Sequence, residues 1–266
     1  VESVGKPLKD WNVNIYRGLL TGFNEAFIID KDKKDQLISQ DPKSAEIIRP
    51  LLRGRDIKRY SYQYTDLYLL YIPWHFPLQN DPKITGSSLV AEKAFENQFP
   101  AVYQHLLSFK EELSNRNKAE TGIRYEWYAL QRWGANYWED FFRPKIIFQE
   151  MVQEPSFILD LKGEFMCLDT ARIITGNDLE FIIAILNSKL FFYSVKTFYG
   201  GGGLGENGVR MKHTFFENFP MPIFSQEKIN QIISIVSSQN AKDYDQIDEL
   251  LNEYYQFTEE EIKIIQ

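Results

Sequence analysis

The apolar positions fall into two regimes. Up to about residue 176 they come as short runs broken by turn residues; from Asn177 onward they recur at helical spacing. Residues 13–20 and 26–30 read as strands flanking Thr21-Gly22-Phe23-Asn24-Glu25, a turn whose Gly and Asn suit positive φ. The charged stretch 31–40 reads as a short helix or a loop. Asp41-Pro42-Lys43-Ser44 looks like a helix start, with Ile47, Ile48, Leu51 and Leu52 as its apolar stripe. Residues 67–72 form a buried strand stopped by Pro73, and 73–86, with three prolines and Gly86, a surface loop. Residues 87–99 and 100–115 read as helices, the second with Leu106, Leu107, Phe109 and Leu113 on one face.

Residues 125–132 return to strand character, and a short helix is expected over 136–142. A run of short strands follows at 145–151, 157–161, 165–168 and 172–175, with Lys162-Gly163 as a hairpin turn. Helices are expected over 178–187, 189–198, 225–239, 241–255 and 258–265. Thr258-x-x-Glu261 is a capping box, whereas Ser225 is a cap without one. Gly200–Gly205 reads as a mobile or sharply turning loop, and Phe219-Pro220-Met221-Pro222 is extended by proline restraint. The sum is an α+β chain: a twisted, mostly antiparallel sheet with peripheral helices over 1–224, then a helical tail over 225–266 that packs on it or on a partner domain.

Composition narrows this picture. At 266 residues, one or two domains are expected, and 44% hydrophobic with 25% charged residues is globular rather than disordered. The single cysteine, Cys167, excludes an internal disulfide framework and a multi-cysteine zinc site, and makes a cytoplasmic setting the default. Within the strand 165–168 it reads as a buried small hydrophobe. The longest strongly apolar run, 181–186, is far too short to span a bilayer, so no membrane partner is expected. The start lacks both a signal-peptide pattern and an initiator Met, and reads as a cut from the C-terminal part of a longer protein.

Charge is unevenly spread. Residues 225–266 hold three lysines against nine carboxylates, −6 of the total −7, so residues 1–224 stand near neutrality at −1. Within them, 49–60 reverses the sign, with Arg49, Arg53, Arg55, Lys58 and Arg59 against Asp56 alone. Guanidinium groups clustered around a glycine suit phosphate oxygens or guanine edges. Arg53, Arg55, Lys58 and Arg59 are therefore DNA-contact candidates; the alternative is a solvated loop in which Asp56 pairs one arginine. Arg49 sits on the stripe side and reads as structural.

Asn24 has two readings, an adenine-edge donor and acceptor or a turn residue satisfying its own backbone. Around Arg124, Tyr125, Trp127, Tyr128, Gln131, Arg132 and Trp133, basic and aromatic residues interleave, as in nucleic-acid grooves. Strand alternation sends half of these aromatics into the core, leaving Arg124, Gln131 and Arg132 as contact candidates. Lys212, downstream of the tetraglycine, is another, with a flexible linker as the competing reading of that loop. His75, His105 and His213 lack metal-ligand spacing, and Glu150, Asp160 and Lys162 only superficially match a nuclease core because Lys162 falls in the expected turn.

Four segments carry a family resemblance: Ile15-Tyr16-Arg17-Gly18 with Thr21-Gly22-Phe23-Asn24-Glu25-Ala26-Phe27; Ile47 through Tyr60; Pro144-Lys145-Ile146-Ile147 with Ala184-Ile185-Leu186-Asn187-Ser188-Lys189-Leu190; and Ile247-Asp248-Glu249-Leu250 through Ile262. They resemble the C-terminal specificity domain of TaqI-like adenine methyltransferases and type IIG restriction-modification enzymes. Tyr255-Gln256-Phe257 stands where that family usually has Tyr-Gly-Leu.

The resemblance implies recognition of double-stranded DNA. It implies partner methyltransferase and nuclease domains in the same parent chain, which would bind S-adenosylmethionine and magnesium and act as a site-specific adenine methyltransferase and type II endonuclease. No Asn-Pro-Pro-Tyr occurs here, so this part is expected to be non-catalytic and to hold no cofactor or metal itself. Two alternatives remain at this stage: a metal-dependent nuclease over 144–162, or a docking module using the helices of 225–266 without DNA contact.

Overall fold

The computed structural model describes residues 4–203, 205 and 208–265. Two four-stranded sheets organise the chain. The first runs in the order Val13–Arg17, Ala171–Gly176, Lys145–Gln149, Phe157–Asp160, antiparallel throughout. In register, Ile173 faces Tyr16 on one side and Ile147 on the other, and Ile147 faces Ile158. Because side chains alternate along a strand, Ile147, Ile158 and Ile173 enter one hydrophobic core while Ile146, Phe148, Phe157 and Ile174 enter a second. A sheet covered on both faces needs apolar residues at consecutive positions, which is why 145–148 is buried without interruption.

The second sheet runs Ile28–Asp30, Leu67–Leu70, Ile48–Leu52, Met166–Cys167, and its last pairing is parallel. It shares the first core with helices Leu89–Gln98, Pro100–Leu107 and Lys110–Asn115. The second core gathers Leu8, the far face of the first sheet and helices Leu179–Leu186, Lys189–Thr197, Gln226–Ser238 and Asp245–Tyr255.

Local signals place most of the helices. Asp30 caps the helix Lys31–Gln40, Ser88 and Ser188 cap two others, and Ser225 caps the helix that follows it. Thr258 and Glu261 form the expected reciprocal box: Glu261 Nα donates to Thr258 Oγ1 at 3.3 Å, and Thr258 Nα donates to Glu261 Oε2 at 2.8 Å. No helix among the described residues is long and apolar enough to cross a membrane.

Four expectations are corrected. Residues 41–52 are not a helix but a 3₁₀ turn, Pro42–Glu46, followed by the strand Ile48–Leu52. Pro50 would break a helix there, while in the strand it precedes the stretch paired with Met166–Cys167 and costs that ladder no donor. Arg49 donates to the carbonyls of Ala45, Glu46 and Ile48, a structural role.

Residues 125–132 are not a strand. Arg116 takes the Trp127 and Ala129 carbonyls, and the Leu130 and Arg132 amides donate singly to the Ile72 and Leu20 carbonyls; the buried Glu126 carboxylate accepts from the His75 and Ser88 amides. Lys162-Gly163 turns the chain but makes no hairpin, since Phe157–Asp160 and Met166–Cys167 belong to different sheets. Gly163 has φ +66°, and a Cβ there would collide with the Phe142 carbonyl oxygen. Finally, Asn24 opens a single helical turn, Asn24–Phe27, and the strands on either side of 21–25 also belong to different sheets.

The glycine-rich loop turns sharply, with positive φ at Gly200, Gly203 and Gly205; Leu204 lies outside the described residues. Cys167 is fully buried in the strand Met166–Cys167, and burial pushes its thiol up to about 12. It is expected to ignore a thiol reagent in the native protein and to react once denaturant exposes it. A fast native reaction would contradict this placement.

Candidate nucleic-acid interface

Arg53 to Arg59 leave the second sheet through a 3₁₀ turn, Gly54–Asp56. The buried Asp56 carboxylate organises it, accepting from Arg53 Nα at 3.0 Å, Nε at 2.9 Å and Nη2 at 2.9 Å. Arg53 Nη2 also donates to Thr65 Oγ1. Arg59 is likewise occupied: its Nε donates to the Asn187 carbonyl at 3.0 Å and its Nη2 lies 3.6 Å from Asp248, so it ties this loop to the second core. Two of the four expected cations therefore brace the loop.

The other two point to solvent. Arg55 and Lys58 are exposed, have no side-chain partner among the described residues, and line an open depression of about 760 Å³ with Gln149, Met151, Gln153 and Glu154. Gly54 lets the turn pack closely at this seam, since a Cβ would fall 2.9 Å from Gln149 Cγ and displace that side chain.

A second depression, about 410 Å³, is lined by Gly22, Asn24, Glu25, Asp169 and Thr170. Leu20 and Arg132 exchange backbone hydrogen bonds of 2.9 Å, which seats Gln131 and Arg132 beside this turn. A Cβ on Gly22 (φ +76°) would collide with Gln131 Oε1. Arg132 Nη2 lies 3.7 Å from Asp169 Oδ2. Asn24 is exposed, and its Oδ1 accepts from the Thr21 hydroxyl at 2.6 Å.

Arg116 holds this arrangement from behind. Its guanidinium, packed over the Phe27 and Tyr125 rings, donates to the carbonyls of Leu113, Thr21, Trp127 and Ala129. No carboxylate accompanies it in these contacts, and burial draws its pKa down to about 10. Arg116 thus ties the turn at 21–25 to the segment carrying Gln131 and Arg132.

The two depressions are linked. Thr170 of the second accepts from Glu150 Nα at 3.1 Å, and the Glu150 carbonyl accepts from Met211 Nα at 2.6 Å. A two-stranded ribbon, Met151–Val152 with Val209–Arg210, continues to the first depression. Lys212 follows it, half-buried, with its ammonium over the Phe215 ring. Hydrogen-bonded backbone thus runs between the two depressions, with Asn24 and Gln131–Arg132 at one end, Arg55 and Lys58 at the other, and Lys212 next to the ribbon. Arg124 is not part of it: it pairs with Glu120 at 2.7 Å over the Trp74 ring. Asp169 and Thr170 were missed from sequence, where only their position after a strand could have pointed to them.

The suspected acid–acid–lysine group is dispersed. Asp160 is buried against Lys145 at 2.6 Å, Lys162 is exposed beside Glu164, and Glu150 pairs with Arg172 at 2.9 Å. Asp160 faces Lys145, five residues from Glu150 along the strand, roughly 16 Å away at strand rise.

Residues 49–221 match the family described as the TaqI-like C-terminal specificity domain, and the chain belongs to that family. It is 25% identical over 248 residues to the type II methyltransferase M.MjaIV of Methanocaldococcus jannaschii, a match covering 87% of this chain and 74% of that protein. Its fold is similar to the type IIL restriction-modification enzyme MmeI, solved in complex with DNA (TM-score 0.62, 12% identity, 95% of this chain and 34% of that one). It is also similar to the type IIG restriction endonuclease BpuSI (TM-score 0.51, 14% identity, 89% and 26%). The chain spans about a third and a quarter of those two enzymes' lengths, and at these identities the likeness is one of fold.

Proposed function

We propose that this chain reads a short double-stranded DNA site, mainly through the major groove, and holds it for adenine N6 methylation and cleavage by methyltransferase and nuclease parts of the same parent protein. S-adenosylmethionine and magnesium would be bound by those parts. The observation that supports the reading is that an open depression bearing Arg55 and Lys58 and a second one bearing Asn24, beside Gln131 and Arg132, are bridged by hydrogen-bonded backbone.

Arg55 and Lys58, exposed and unpaired among the described residues, suit phosphates, which fix register without reading sequence. Asn24 and Gln131 present paired amide donors and acceptors suited to adenine, and Arg132 suits guanine O6 and N7. Glu25 and Asp169 add acceptors suited to a cytosine amino group. An acidic chain can do this because phosphate binding follows local charge rather than the total.

Duplex binding measured by anisotropy across a salt series tests the proposal. The Arg55→Ala/Lys58→Ala variant should weaken binding to every sequence alike and reduce the log–log salt slope by about 1.8, because each phosphate left without its cation subtracts about 0.9. Arg132→Ala should instead relax preference at one base pair by about 1–3 kcal/mol. Binding and slope unchanged in the double variant would refute this interface.

A further inference from the structure

The first sheet places two arginines directly opposite each other. Arg17 and Arg172 are cross-strand partners in Val13–Arg17 and Ala171–Gly176, an arrangement that like charge disfavours. Arg172 is 2% exposed; its Nη2 donates to Glu150 Oε2 at 2.9 Å, while its buried Nε has no hydrogen-bond partner. Arg210 reaches the other oxygen of Glu150 only at 3.9 Å. Lys212 lies on the same side of its extended segment as Arg210, since the intervening Met211 is fully buried. Arg17 is exposed and has no side-chain partner among the described residues.

Two cations, Arg172 and Arg210, thus share the Glu150 carboxylate, with Arg17 opposite Arg172 and Lys212 two residues beyond Arg210. His213, next in the chain, reports the surplus. Its Nδ1 is buried without a partner, and its pKa is pulled down first by burial and then by the charges of Arg172, Lys212 and Arg17, against an opposing pull from Glu217. A buried guanidinium with an open donor, beside further cations that share its one paired carboxylate, is poorly compensated on its own, and a bound oxyanion supplies the missing charge.

We infer that Arg17, Arg210 and Lys212, backed by the Arg172–Glu150 pair, form a binding site for one phosphate group of the DNA backbone. The inference rests on the DNA-recognition reading and deepens it. The site adjoins the ribbon linking the two depressions, so a strand crossing from Asn24 to Arg55 would pass over it. Glu150 positions Arg172 and Arg210, and the phosphate takes the donors that Glu150 leaves open.

Two measurements on this chain test it. In the salt series, Arg210→Ala/Lys212→Ala should lower the slope by about 0.9, the value for a single phosphate. Separately, inorganic phosphate titrated into the protein without DNA should shift the His213 imidazole resonances saturably, and Arg17→Ala/Arg210→Ala should abolish that shift. An unchanged slope in a variant series whose wild type binds DNA overturns the site and leaves the wider reading standing. A wild type that fails to bind DNA sinks the wider reading, and the phosphate titration then decides the site alone. A resonance unmoved by phosphate overturns it.

Discussion

Asp160→Ala is expected to destabilise the chain by about 3–5 kcal/mol, the range for breaking a buried ion pair. Lys145 is fully buried, and its ammonium donates to Asp160 Oδ2 at 2.6 Å and to the Phe141 carbonyl at 2.8 Å. Burial draws the Lys145 pKa down, and Asp160 opposes that pull. Asp160 also accepts from the Glu164 and Phe165 amides, fixing the turn between the two sheets. Removing the carboxylate strands a charge in the core and leaves both amides unpaired. Replacing both partners, as in Lys145→Met/Asp160→Leu, should recover a large part of the loss, because no lone charge remains. Urea denaturation checks this. A loss of less than about 0.5 kcal/mol, typical of a surface change, would contradict the pairing. The same variant separates the nuclease alternative, which requires cleavage to vanish while the fold stays intact.

Arg116→Ala should be nearly as damaging, roughly 3 kcal/mol, since at least two interior carbonyls lose a charge-assisted donor at about 1–3 kcal/mol each. The consequence for recognition is larger than for binding strength. Without the guanidinium, the Thr21 carbonyl and those of Trp127 and Ala129 are no longer held to a common point, and only the Leu20–Arg132 backbone pair keeps Gly22–Glu25 beside Gln131 and Arg132. Discrimination between DNA sequences should fall, while the salt slope, set by the phosphate-facing cations, stays. Arg116→Lys keeps the charge but lacks the planar fork that reaches several carbonyls, so it should restore stability only in part. Discrimination untouched by Arg116→Ala would separate this residue from the site.

Much of this architecture is legible along the chain because its causes are local. The strands at 145–149, 157–160 and 171–176 announce themselves by short apolar runs, and Ser225 and Thr258 mark helix starts through side-chain caps. What stays hidden depends on distant partners. Residues 125–132 have the composition of a strand, but the Arg116 guanidinium takes the Trp127 and Ala129 carbonyls and single bonds to Ile72 and Leu20 take the Leu130 and Arg132 amides. Leu51 and Leu52 share a helical stripe on paper, yet Pro50 and the pairing with Met166 and Cys167 decide for strand. For the candidate interface, residue types were readable and commitments were not. Nothing local tells that Asp56 claims Arg53, or that the Asn187 carbonyl claims Arg59, while Arg55 and Lys58 stay open.

The threading of the two sheets bears on biogenesis. Met166–Cys167 completes one sheet and Ala171–Gly176 joins the two sides of the other, so both await the same late stretch of chain. A nascent polypeptide still short of that stretch has neither sheet whole, and no half can mature ahead of the other. The first depression waits longer still, for Gly208 and the ribbon strand Val209–Arg210, so a premature stop upstream of residue 208 would leave it incomplete.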